Sequence, residues 1–174
     1  PIVEQTGRPG APAPAPHPDH SEAYRAFFQR VIDELRERHR FTTARTAQPQ
    51  NWYTFASGIN GVVYSIWFST AGKIKIELYI DVGNRDLNHT IFEQLRFRMA
   101  EVEREFGGKL DWEWTEGRRA CSIGIQASGK IDDSPEAVDK ILKWSVDRLL
   151  RLKTVFGPRL MGFERALAQQ MKKN

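Results

Sequence analysis

From Lys73 to Asp81 the chain reads K-I-K-I-E-L-Y-I-D, a strict alternation. Ile74, Ile76, Leu78 and Ile80 fall on one side; Lys73, Lys75, Glu77, Tyr79 and Asp81 fall on the other. A period of two marks a strand with one buried and one wetter face. Four aliphatics in register need an apolar surface to lie on. Two shorter stretches precede this strand, Asn51 to Ala56 and Val62 to Ser69, both rich in aromatic and β-branched residues. The links between them, Ser57-Gly58-Ile59-Asn60-Gly61 and Thr70-Ala71-Gly72, are too short for a crossover, so the three strands are predicted to be antiparallel neighbours. Leu110 to Thr115 and Arg119 to Gln126 supply two more strands around a Glu116-Gly117 turn.

Helical periodicity fills the rest. Tyr24, Phe27, Phe28, Val31, Ile32 and Leu35 recur at steps of three and four and predict a helix from about Ser21 to His39, capped by Ser21 or Asp19. Phe92, Leu95, Met99, Val102 and Phe106 predict one long helix over 84–106, capped by Asp86 or Asn88 and stopped by Gly107-Gly108. Ser134-Pro135-Glu136 is a helix start, with Val138, Ile141, Leu142, Ser145, Val146 and Leu149 inward. Gly157-Pro158 is expected to break that helix and begin a last one, to Met171, with Leu160, Phe163 and Leu167 on its stripe. The prediction is an α+β domain over residues 21–174: a mainly antiparallel five-stranded sheet packed by amphipathic helices, in the order α-βββ-α-ββ-α-α.

Residues 1–20 carry most of the prolines, in the run G-R-P-G-A-P-A-P-A-P-H-P, and read as a linker or the tail of an upstream domain. His17 and His20 lie there without further ligands, so a metal site is not expected from them. No apolar run nears the ~20 residues of a membrane helix, no signal peptide is visible, and Cys121 is the one cysteine. These features point to a cytoplasmic protein with no membrane partner.

Charge changes the picture at one end. Of 26 basic residues, nine fall between Val138 and Asn174 against three acids, a local net of +6, while the remainder of the chain is −2. A basic helical face attracts phosphates or an acidic partner. The candidate binding residues are therefore Lys140, Arg148 and Arg151 there, Arg118 in the turn, and Lys75, Glu77 and Tyr79 on the polar face of the central strand. The five tryptophans sit mostly on strands, where core packing competes with base stacking.

No catalytic residue, metal ligand or cofactor motif is identified. The order helix, three strands, helix, strand matches the core of PD-(D/E)XK nucleases, but no Asp or Glu is followed two residues later by the Lys that such a site needs. Glu77 with Asp81, and Asp111 with Glu113, are paired carboxylates on strand faces, where cross-strand pairing with Lys73, Lys75 or Arg119 is the plainer role. Cys121 lies among aliphatics and reads as a small buried hydrophobe.

The course from N-W-Y-T-F-A-S-G through I-E-L-Y-I-D, then N-H-T-I-F-E-Q-L from Asn88, V-E-R-E-F-G-G-K-L-D-W-E-W and F-G-P-R-L, resembles the bacterial and archaeal domain of unknown function 4268 over about Tyr24 to Phe163. That resemblance implies a domain often attached C-terminally to a nuclease-like domain, in nucleic-acid processing or defence. It brings no catalytic residues. The leading expectation is a non-catalytic accessory module that binds nucleic acid or a partner domain. Two alternatives stay open: a degenerate PD-(D/E)XK-like metal-dependent hydrolase using Glu77, Asp81, Asp111 or Glu113, and a dimerisation module that forms a homodimer.

Overall fold

A computed structural model describes residues 20–171, and the side chains of 20–163 and 165. The N-terminal linker expected over 1–20 lies outside the described residues except for His20. In chain order the elements are α1 (Ser21–Glu37), β1 (Trp52–Ala56), β2 (Val62–Phe68), β3 (Lys73–Ile80), α2 (Arg85–Arg96), α3 (Met99–Phe106), β4 (Asp111–Glu113), β5 (Cys121–Ser128) and α4 (Pro135–Met171). The fold is α+β, as the sequence pattern predicts. All five strands form one sheet in the order β1-β2-β3-β5-β4, and every pairing is antiparallel.

The strand of strict alternation, β3, sits at the centre of the sheet. Ile74, Ile76, Leu78 and Ile80 are fully buried. Their face is continued by Tyr64, Ile66 and Phe68 of β2 and by Cys121 and Ile123 of β5. The helices close over it. Phe27 and Phe28 of α1 meet Phe68 edge-on at 5.1 and 6.2 Å. Phe92 of α2 meets Trp112 at 6.1 Å. α4 contributes Leu149, Leu152, Val155 and Phe156. Burying a large aliphatic or aromatic side chain stabilises by roughly 1.5–3 kcal/mol, so this layer dominates folding.

The opposite face differs from expectation. It was predicted to be wetter, yet Lys75, Glu77, Tyr79 and Ser65 are all buried. Alternation in residue type records which side chains differ, not what surrounds them. On the central strand of a five-stranded sheet both faces are flanked by neighbours, here including the bulky Trp67, paired directly with Lys75.

Two helix boundaries also differ. The single helix expected over 84–106 is two. At Phe97 and Arg98 the ladder tightens to Arg98 N–H donating to Leu95 O (3.1 Å), and Arg98 leaves helical geometry at φ −104°, ψ 25°. The two halves face different surfaces: α2 packs on the sheet through Phe92, while α3 leans on α4, where Arg159 reaches Glu101 and Glu105. One straight rod cannot serve both. Conversely, the two helices expected around Gly157-Pro158 are one, α4, 37 residues long with Pro158 inside. A mid-helix proline costs about 3 kcal/mol, but Val155, Phe156 and Leu160 on either side are buried, and their combined burial outweighs that cost.

Two of the expected helix-end signals are present. Ser134 Oγ accepts from Ala137 N–H (3.3 Å) at the start of α4, and Gly107 ends α3 in the left-handed region at φ 86°. At α1 the cap position is His20 with no side-chain bond, rather than Ser21 or Asp19. At α2 the cap is Asn84, whose Oδ1 accepts from Leu87 N–H (3.0 Å), rather than Asp86 or Asn88. No described helix is long and apolar enough to cross a membrane.

Candidate functional site

The polar face of β3 holds a connected charge network. Lys75 Nζ lies 2.7 Å from Glu113 Oε2 and 3.2 Å from Glu77 Oε2. Trp67 Nε1–H donates to Glu77 Oε1 (3.1 Å), and Ser122 Oγ–H donates to Glu113 Oε2 (3.2 Å). Register builds this group: Glu77 stands between Ser65 of β2 and Gly124 of β5, and Glu113 of β4 lies opposite Ser122. Gly124 is required there. A Cβ would run into Ile76 O and come within 2.7 Å of Glu77 Cβ. Glu77 is wholly buried and Lys75 nearly so, whereas Glu113 is more than half exposed. A charge taken from water this far stays ionised only when paired and hydrogen-bonded. The Lys75 ammonium is thus satisfied by two carboxylates and has little attraction left for a phosphate.

A second network ties α2 to the sheet. Asp81, 4% exposed, accepts from Arg119 Nε (2.8 Å) and Nη2 (2.7 Å), from Asn88 Nδ2 (3.2 Å) and from Gly83 N–H (3.2 Å). Burial works against its charge, but the bonds from Arg119, Gly83 and Asn88 prevail, and its carboxyl is held below the usual carboxylate range. Asn88, in the first turn of α2, is a tie rather than a cap: its Oδ1 accepts from Val82 N–H (2.8 Å) and its Nδ2 donates to Arg119 O (3.0 Å). Beside it, burial, with Asp81 and Glu93 nearby, pushes the Cys121 thiol up to about 11, so it is an inert core residue and not a thiolate.

The basic candidates of α4 occupy another part of the molecule. Positions 140, 143, 147 and 151 repeat at steps of three and four and are exposed, while Ile141, Leu142, Ser145, Val146, Leu149 and Leu152 are buried. The outward stripe therefore carries Lys140, Lys143, Asp147 and Arg151. Arg148, at its margin, lies over the rings of Trp144 (6.0 Å) and Phe106 (5.9 Å). Asp147 Oδ2 receives Arg148 Nη1 (3.0 Å) and Arg151 Nε (2.9 Å). Arg151 Nη1 also donates to Phe106 O (3.2 Å), one of the terminal carbonyls of α3. Lys143 pairs with Asp139 at 2.9 Å.

Counting basic residues overstates this surface. Lys153 donates to Phe41 O (2.9 Å) and sits 4.6 Å from the Phe41 ring. Arg159 is held by Glu105 (2.9 Å) and Glu101 (3.3 Å) of α3. Lys172 and Lys173 lie outside the described residues. What remains is Lys140, Lys143 and Arg151 facing outward, Arg148 at their margin and the exposed Arg165 further along the helix, moderated by Asp139 and Asp147.

The seven candidates do not make one site. Lys75 and Glu77 touch, and Tyr79 shares their face. Arg118 is exposed in the β4–β5 turn, where its N–H donates to Thr115 O (3.0 Å), and its half-exposed neighbour Arg119 is the one that pairs with Asp81. Lys140, Arg148 and Arg151 lie on the outer side of α4, with the helix and the sheet between them and Lys75. Sequence reading missed Trp67 and Ser122 as partners of the acids, and Trp144 beneath Arg148. The i, i+4 spacing of Trp144 and Arg148 was the available signal. Among the described residues, no three His, Cys, Asp or Glu side chains are grouped to hold a metal ion.

In comparisons with known proteins, a family model described as "Domain of unknown function (DUF4268)" matches residues 23–160. No curated protein and no solved structure matches the chain.

Proposed function

We propose that this chain, which belongs to the family of domains described as DUF4268, is a non-catalytic module that binds the phosphate backbone of nucleic acid along the outer face of α4. One observation carries this reading: Lys140, Lys143 and Arg151 share one exposed side of α4, and Arg148 at its margin is laid over Trp144. Stacking fixes a guanidinium in place, so less side-chain entropy is lost on contact. Residues 140 to 151 span about 17 Å at 1.5 Å per residue, several phosphate spacings. The acids in the stripe keep its field modest, so the binding is weak, insensitive to sequence and sensitive to salt.

The buried network around Lys75, Glu77 and Tyr79 serves the sheet in this account, because its one ammonium is already held between two carboxylates. The hydrolase alternative gains no geometric support: Glu77 and Glu113 are engaged by Lys75, and Asp81 by Arg119. As an accessory module, the domain would hold a neighbouring nuclease-like domain on its substrate, in line with the family resemblance. A cytoplasmic location fits this role and the single buried cysteine. The test is fluorescence anisotropy with labelled duplex DNA at low and moderate salt, on the native chain and on Lys140→Glu/Lys143→Glu. Loss of binding in the variant is expected; equal binding by both proteins would remove α4 from the interface.

A further inference from the structure

A cavity of about 190 Å³ lies between the start of α1, the β2–β3 turn and the segment that leads into α4. Its lining includes Tyr24, Asn51, Phe68, Ser69, Lys130 and Asp132. The walls are tied to one another. Gly129 N–H donates to Gly72 O (3.0 Å), and the stem of Lys130 lies so near Gly72 that a Cβ there would stand 3.0 Å from Lys130 Cε. The rings of Tyr24 and Phe68 meet at 5.5 Å and form an apolar wall. Drug-sized ligands fill roughly 300 Å³ or more, so this space suits a small metabolite.

The polar groups around it are of two kinds. Asn51 is 7% exposed; its Nδ2 donates to Phe68 O (2.7 Å), which fixes the amide, and its Oδ1 has no hydrogen-bond partner. A buried carbonyl without a donor is unfavourable, and an N–H group bound in the cavity relieves it. Asp132 is a second acceptor. Burial, with the Asp132 carboxylate nearby, pushes the Tyr24 phenol up, so that charge faces the same wall. Lys130 carries the opposite charge. The side chains of Lys130 and Asp132 are exposed and make no ion pair with each other or with another described residue. His20, at the cap position of α1, also lines the cavity and makes no side-chain bond to the first turn, so the positive end of that helix dipole is presented here.

We propose that this cavity binds a small zwitterion, an α-amino acid with a short side chain. Its carboxylate lies toward Lys130 and the start of α1, its ammonium toward Asn51 Oδ1 and Asp132, and its side chain against Tyr24 and Phe68. A simple acid or a simple amine meets one favourable charge and one opposed charge. A molecule that carries both groups satisfies all four partners at once. The site is separate from the Lys140–Arg151 stripe and needs no nucleic acid.

Isothermal titration calorimetry of the native chain with L-alanine and L-serine tests this. Propionate and ethylamine, the two halves of alanine, are the controls. The expected result is saturable heat with a Kd of about 1 mM or tighter, and a Tm that rises with amino-acid concentration. Lys130→Ala and Asp132→Asn should each weaken binding about ten-fold. Both residues are exposed, so far-ultraviolet circular dichroism should be unchanged and a misfolded variant would be recognised. No heat and no Tm shift with either amino acid up to about 20 mM overturns the proposal. So does unchanged affinity in either variant, or propionate or ethylamine binding as tightly as alanine. The titration contains no DNA, so its failure leaves the α4 proposal standing, and the reverse also holds.

Discussion

Asp81→Asn probes the joint between α2 and the sheet. The native carboxylate has a side chain only 1% exposed and takes two parallel bonds from Arg119, one from Asn88 and one from Gly83. An asparagine keeps the volume but turns one acceptor into an N–H₂ group that must face a donor. One charge-assisted bond is lost and the others weaken, at about 1.5–3 kcal/mol for a bond to a charged group. Breaking a buried pair can cost 3–5 kcal/mol, but Arg119 is half exposed and can return to water, which discounts that figure. The net expectation is about 2–3 kcal/mol. For a domain of this size that lowers Tm by roughly 4–12 °C, read by calorimetry or circular dichroism near pH 7.

The pH dependence fixes the mechanism. Asp81 is held below the usual carboxylate range in the folded chain. Its contribution is therefore fully present above the unfolded value near about 4 and is lost as pH falls through the lower folded value. The gap between the two proteins should be widest at neutral pH and close on acidification below about pH 4. A variant within about 0.5 kcal/mol of native at neutral pH, or a gap that widens in acid, would refute the reasoning.

Two further substitutions test the fold. Gly124→Ala should destabilise by about 1–3 kcal/mol or more in chemical denaturation, because the new methyl meets the backbone of Ile76 and the stem of Glu77; a neutral result would mean that β3 and β5 are not this close. Pro158→Ala should stabilise by about 1–3 kcal/mol by restoring a helix donor, part of the gain being lost to the freer unfolded chain; destabilisation would place a real break in α4.

The alternation of β3 made its core face legible, and the Gly-containing links made the antiparallel meander legible. The burial of Lys75 and Glu77 was not, because it depends on Trp67 and Glu113, which arrive from other strands. Helix ends were read from local breakers, and those competed with packing: Phe97 and Arg98 carry no breaker, yet the chain bends there to serve two surfaces, while Pro158 carries one and is overridden by Val155, Phe156 and Leu160. The basic end of the chain was visible in composition. Its division into an outward stripe and the internally spent Lys153 and Arg159 follows from where α1 and α3 lie, which no count of charges contains.

The central claim is that α4 meets phosphates with a handful of fixed cations. Its most direct measurement is the affinity of the native chain for duplex DNA between about 50 and 200 mM salt, for which three to four neutralised phosphates predict a fall of roughly 40- to 150-fold. Lys140→Glu/Lys143→Glu should flatten that slope. Affinity that does not change with salt, or no binding even at the lowest salt, would contradict the account.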